Sequence, residues 1–375
     1  MKEESLSAQD LASSWRRVIG RRSFLNAAGA AGAMLPAARL SAEDDDNNNN
    51  NNNKLPKGDV AILKFLAAAE IIETDLWQQY TELGGANGGN PNYIQALVNL
   101  DSDMPQYISD NTDDEMTHAD FLNKYLMSRG EQPVNLDAFR NLPSSKATGA
   151  KNIGRLTNLL RLNVDTSWYT RYRSTLNPDL GATFPQAVNI VNQPAIPLTD
   201  ADTPPSGPLT AGQTQRIQAI ANAASFHFAF IEQGGSSLYS TLALQVTDVE
   251  VLRIVISIGG VEVDHFSLWH DKAENAVSKP LAPLTDPETG VTFPVLPQTE
   301  DLQPNLILPE PCAFLRTNLP ACSVIRPTSS KNAGAAAAVA AFTNDLLFQG
   351  QPQSFFNALM DLATAADAAK RGRGD

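Results

Sequence analysis

Cysteine is nearly absent from this sequence. Two residues in 375, Cys312 and Cys322, are too few for a zinc-finger or iron–sulfur framework. Histidine is almost as scarce at four residues, so each can be weighed with its neighbours. Basic charge is short as well: 28 Lys and Arg stand against 41 Asp and Glu, a formal charge of −13. No basic stripe interrupts the acidity beyond the N-terminus, which argues against nucleic acid or an anionic membrane surface as a partner. No apolar run is long enough to span a bilayer. What remains is 42% hydrophobic, ample for one large domain or two small ones.

Basic residues gather where the chain starts. Gly20-Arg21-Arg22-Ser23-Phe24-Leu25-Asn26 leads into a mildly apolar Ala- and Gly-rich run from Ala27 to Leu35. Pro36 follows, then Leu40-Ser41-Ala42, an A-x-A-like cleavage site. Residues 1–42 therefore read as a signal peptide. The paired arginines with Phe-Leu behind them resemble a twin-arginine export signal, departing from the usual pattern at Gly20 and Asn26. That resemblance implies the twin-arginine export machinery as a partner, export in the folded state and a periplasmic or secreted location. The apolar run is too short for a stable membrane anchor. An acidic stretch and a run of asparagines from Asn47 to Asn53 make 43–56 a disordered linker.

Helical periodicity dominates the rest and predicts an all-α chain. Ile62, Phe65, Leu66, Ala69, Ile72, Leu76 and Tyr80 mark one face of a helix over 57–83, ended by Gly84-Gly85. A short helix over 92–100 precedes a second long one, which Asp103 can cap and which tolerates Pro105 in its first turn before stopping at Gly130. Thr210 with Gln213 forms a capping box for a third long helix reaching Leu244, and Thr247 with Glu250 forms another for a fourth reaching Ser278. So short a connection forces the last two to be antiparallel. The 131–209 segment between the two pairs is Pro-punctuated, with one helical stretch expected near 153–174. Beyond residue 279 lies a Pro-rich extension with terminal helices over 333–349 and 352–370. In an exported chain, Cys312 and Cys322 are suitably spaced for a disulfide across this extension.

Two of the four histidines follow a glutamate by three: Glu115-Met116-Thr117-His118 and Glu262-Val263-Asp264-His265. That spacing puts both side chains of a pair on one helix face, within reach of a single metal ion. Two such pairs among four histidines arise by chance about once in a hundred sequences. Height strengthens the signal. Glu232 lies about 14 residues before the turn at Val246 and Glu262 about 16 after it, which levels them in an antiparallel hairpin. Glu70, or alternatively Glu73, is level with Glu115 in the first pair by the same count.

The order Glu, Glu-x-x-His, long crossover, Glu, Glu-x-x-His resembles the ferritin-like superfamily, including rubrerythrins, bacterioferritins and the ferritin-like desiccation-related proteins. Trp77 and Tyr239, each seven residues after a single Glu, add to the likeness. It covers roughly 57–129 and 210–278 and implies a four-helix bundle over 57–278, with 131–209 as crossover insert. It also implies two metal ions held by Glu70 (alternatively Glu73), Glu115, His118, Glu232, Glu262 and His265. Four carboxylates, two imidazoles and no thiolate favour iron or manganese. Asp264 or Asp120 can orient a ligand histidine, while His227 and His270 read as ordinary structural residues and Trp77 and Tyr239 as core. The function this implies is reaction with oxygen or peroxide, as an oxidase, peroxidase or catalase-like enzyme. The competing expectation is a stress- or desiccation-related structural or binding protein. Iron storage ranks last, because the crossover and extension would obstruct a cage.

Overall fold

Long helices form where apolar periodicity is sustained and stop where capping groups take over the terminal backbone. The computed structural model describes residues 54–172, 184–202, 204, 207–297, 311–316, 318–324 and 333–372. The signal peptide 1–42 and nearly all of the 43–56 linker lie outside the described residues. Helix α1 (Lys57–Gly84) ends where Gly85 N–H closes on the Thr81 carbonyl. Helix α2 (Pro91–Leu100) starts at Asn90, whose side chain accepts from Tyr93 N–H. Helix α3 (Met104–Ser128) carries Pro105 in its first turn. Asp103 occupies the cap position but its side chain makes no capping bond; its backbone is instead held by Asp101 at 2.9 Å.

Helix α5 (Ala211–Ala243) opens on the complete Thr210–Gln213 capping box. The start of helix α6 (Val249–Ala273) differs from expectation by one residue. Asp248, not Thr247, caps it, accepting from Glu250 and Val251 N–H. Thr247 N–H and Asp248 N–H are taken by the buried Asp59 carboxylate at 3.0 and 2.6 Å. Past Ala273 the chain tightens into a 3₁₀ turn, Glu274–Val277. Helix α1 packs along α3 and α5 along α6, so the two halves are helical hairpins as the sequence order requires.

The crossover corrects the expected 153–174 helix. Among the described residues of that stretch only helix α4 (Ser167–Tyr172) forms, beside an antiparallel pair of strands, β1 (Leu162–Val164) and β2 (Ile190–Gln193). The cause is competition for backbone donors. Leu156 and Thr157 N–H donate to the buried Asp75 carboxylate of α1 at 3.0 and 2.9 Å, and Asn158 N–H donates to the Leu347 carbonyl at 2.7 Å. A helix begun at 153 would need the Thr157 and Asn158 N–H groups for its i→i−4 ladder, and both are taken elsewhere, yet Leu156, Leu159 and Leu162 are still buried.

In the extension, strands β3 (Leu284–Thr285) and β4 (Thr292–Phe293) pair, and helices α7 (Ala335–Asn344) and α8 (Gln353–Asp367) are shorter than expected. Helix α8 lies against α1. The two cysteines face each other across the extension: Cys312 and Cys322 exchange backbone hydrogen bonds at 3.0 and 2.9 Å, Cys312 being buried and Cys322 exposed. Among the described residues, no helix is long and apolar enough to cross a membrane.

Candidate metal centre

Helical spacing and hairpin height bring the expected ligands together between α1, α3, α5 and α6. Oxygen and nitrogen atoms of Glu70, Glu115, His118 and Glu262 lie within 4.8 Å of one another. A second group on the same scale comprises Glu115, Glu232, Glu262 and His265. Glu115 and Glu262 belong to both. All six side chains are buried. Glu73 belongs to neither group, although it is buried one turn beyond Glu70.

Glu115 spans the two halves atom by atom. Its Oε2 lies 3.2 Å from His118 Nδ1 and its Oε1 3.2 Å from His265 Nδ1. His118 Nδ1 also lies 3.4 Å from Glu70 Oε2 and 3.6 Å from Glu262 Oε1. His265 Nδ1 lies 3.3 Å from Glu232 Oε2. Both imidazoles thus point the same nitrogen at the carboxylates. Tyr239 donates its hydroxyl to Glu70 Oε1; Trp77 is buried nearby and contacts aromatic rings.

The other face of His265 meets Asp114, with Nε2 at 3.1 Å from Oδ2. This corrects the expected orienting carboxylate. Asp264 and Asp120 are both exposed, the latter paired with Lys124. Asp114 orients an imidazole from across the bundle, a relation no local spacing reveals. Asn111 was also missed. Its amide donates to Glu115 Oε1 at 2.7 Å and Glu232 Oε1 at 3.0 Å, while its carbonyl accepts from Trp269 Nε1 at 2.6 Å. Its place four residues before Glu115, on the same helix face, was the available signal.

Electrostatics make the bare centre costly. Burial and then Glu232 push the Glu115 carboxyl up from 4.5 to about 7. Burial and then neighbouring carboxylates raise Glu73 and Glu262 well above their ordinary value. At His118 burial opposes the charge but is outweighed by Glu115 and Glu70, and the pKa climbs to about 10. His265 is driven upward too, with burial outweighed by Glu232, Asp114 and Glu115.

Even so, Glu70 Oε2 and both oxygens of Glu262 have no hydrogen-bond donor. Buried, unsatisfied carboxylate oxygens are expensive, and two of them, Glu70 Oε2 and Glu262 Oε1, face the same His118 Nδ1. The donor set fits two divalent cations: four shared or terminal carboxylates balance their charge, and each ion has one imidazole.

Glycine makes the room. A Cβ at Gly235 would stand 2.2 Å from Glu262 Oε2, whereas one at Gly234 would meet nothing within 4 Å. Gly235→Ala is therefore expected to displace Glu262, weakening metal binding at least ~10-fold and destabilising the fold by about 1–3 kcal/mol. Gly234→Ala is the matched control, and metal titration of the two variants reads the difference.

No curated protein and no solved structure matches the chain. The profile of one family, described as a ferritin-like domain, matches residues 58–274. That span begins in the first turn of α1 and ends just past α6, taking in every residue of both ligand groups. The chain belongs to the ferritin-like domain family.

Proposed function

We propose that this is an exported ferritin-like protein in which two iron or manganese ions sit between the helical hairpins and react with dioxygen or peroxide, as an oxidase, peroxidase or catalase-like enzyme. One observation carries the reading. Two buried carboxylate–imidazole groups share Glu115 and Glu262, with unsatisfied oxygens turned into the shared space. Glu70 and His118 would help to hold one ion and Glu232 and His265 the other, with Glu115 and Glu262 available to both. When bound, such ions supply one-electron redox steps to an oxygen ligand.

The chain's own residues do the rest. Asn111 and Asp114 fix the orientation of Glu115, Glu232 and His265. A groove of about 670 Å³ between α3 and α6 has His118 on its wall, with Phe121, Ile254, Ile258 and Val261. Its size suits a small molecule, and Thr117, Glu250 and Arg253 add polar groups to its lining. The Arg21-Arg22 signal supports loading of metal before export of the folded chain.

Metal analysis of the exported protein should give about two Fe or Mn per chain, followed by oxygen uptake or peroxide decay. Metal binding without turnover would favour the structural or stress-related reading. A chain exported intact with no metal would end the two-metal reading. Filling the groove with Ser257→Trp is expected to slow peroxide decay at least ~10-fold with metal content unchanged, because access is lost while the ligands are untouched.

A further inference from the structure

A second polar cluster lies deep in the aromatic core, away from the carboxylates. Tyr80 of α1 hydrogen-bonds His227 Nδ1 of α5 at 2.8 Å. His227 Nε2 in turn faces Asp345 Oδ2 at 3.0 Å, just past the end of α7. All three are essentially inaccessible to solvent. The partners settle the tautomer: Nε2–H donates to the carboxylate, leaving the Nδ1 lone pair to accept from the phenol.

Packing alone does not ask for this. A buried tyrosine needs one acceptor, which any backbone carbonyl supplies. Here it has a base, and the base is backed by a buried carboxylate whose other oxygen, Oδ1, has no partner. Burial raises the Asp345 carboxyl to about 6 against the pull of His227, so the fold carries an energetic burden to keep it there.

The cluster is joined to the two carboxylate–imidazole groups by packed aromatic rings. Tyr80 lies 5.7 Å from Trp77 between ring centroids, and Trp77 lies 5.4 Å from Trp269. Phe228 packs against all three at 4.6–4.9 Å. Trp269 Nε1–H donates to Asn111, which donates to Glu115 and Glu232. The three oxidisable rings along this path differ in one respect. Trp77 Nε1 has no hydrogen-bond partner, and Trp269 meets only an amide oxygen. Neither indole has a base to take its proton; Tyr80 does.

We infer that Tyr80, His227 and Asp345 form a redox-active tyrosine, linked through Trp77 and Trp269 to the metal centre, that stores one oxidising equivalent. The step balances. Tyr80 would lose one electron by way of Trp77 and Trp269 to iron or manganese held by the six carboxylate and imidazole side chains, which would supply a one-electron acceptor once dioxygen or peroxide had oxidised it. The phenolic O–H bond breaks as its proton moves to His227 Nδ1. The products are a neutral tyrosyl radical and an imidazolium facing the Asp345 carboxylate. The indoles pass the electron without keeping the radical, because their protons have nowhere to go. The oxidant in this scheme rests on the two-metal reading; the tyrosine cluster does not.

Two arms on the full chain test it. Metal-free protein is oxidised with photo-excited ruthenium trisbipyridyl and persulfate; iron-loaded protein is mixed with hydrogen peroxide and freeze-quenched. Both are read by electron paramagnetic resonance. A tyrosyl signal should form in each arm and be lost in Tyr80→Phe. In the second arm Trp77→Phe should lower its yield at least ~10-fold at equal metal content. His227→Gln, which keeps a hydrogen bond but removes the base, should shorten its lifetime at least ~10-fold. A signal unchanged in Tyr80→Phe, or no tyrosyl signal in either arm from folded wild-type protein, overturns the proposal. A Tyr80 signal in the first arm from a chain that takes up no iron supports the redox tyrosine while ending the two-metal reading.

Discussion

Glu262→Gln or Glu115→Gln is expected to abolish binding of both metal ions, whereas Glu70→Gln or Glu232→Gln should weaken one ion and spare the other. The difference follows from sharing. Glu115 and Glu262 belong to both ligand groups, Glu70 and Glu232 to one each. An amide has one acceptor oxygen and cannot bridge two cations. On the two-metal reading, metal at 1,000 times its dissociation constant would stabilise the wild-type fold by about 4 kcal/mol, and that increment should vanish in the Glu115 and Glu262 variants. Their metal-free forms should be as stable as wild type or more so, since one member of a crowded set of buried carboxylates has been neutralised. A residue important only for packing would show the opposite, a weakened fold with its metal response intact. Calorimetric metal titration with denaturant unfolding, with and without metal, separates the two. Two ions per chain in Glu262→Gln would remove that shared role.

The long helices and five of the six candidate ligands were legible because both depend on local spacing. Apolar residues every three or four positions fix a helix face, and Glu-x-x-His fixes two ligands on it whatever surrounds them. Equal distances from a short turn then level Glu232 with Glu262. The choice between Glu70 and Glu73 was not legible, since residues three apart share a face; cross-bundle geometry places Glu70, not Glu73, against His118. The crossover misled for a related reason. Leu156, Leu159 and Leu160 carry helical spacing, but Asp75, more than seventy residues earlier, captures the backbone donors that a helix needs. Asp114 and the Tyr80–His227–Asp345 cluster escaped notice because each joins helices distant in sequence. His227 was read as structural because five residues from Glu232 turns it off the ligand face. That inference is correct about the ligands and silent about what the opposite face meets.

Stripped of metal, the chain is expected to lose stability steadily as pH rises from about 4.5 to about 10, and bound metal should flatten that decline. The sign follows from which state holds more protons. In the unfolded chain a glutamate releases its proton near 4.5, but the folded protein keeps the Glu115 proton to about 7, chiefly through burial and then the charge of Glu232. Glu73 and Glu262 shift the same way, burial again first. Across that window the folded state binds more protons than the unfolded state, so raising the pH favours unfolding. His118 acts in the same direction. Its pKa rises from 6.5 to about 10 because Glu115 and Glu70 outweigh burial. Its stabilising contribution is therefore complete below 6.5 and lost as pH climbs to about 10. Carboxylates and imidazole thus add along one slope. Divalent ions replace those protons, so their binding should release protons and tighten with pH until the ligands are fully ionised. Urea midpoints of chelator-treated protein at about pH 5, 7 and 9 should fall in that order, and excess metal should raise the last most. Midpoints that rise with pH in the metal-free protein would mean that the six side chains are not held together as a bare, repelling cluster.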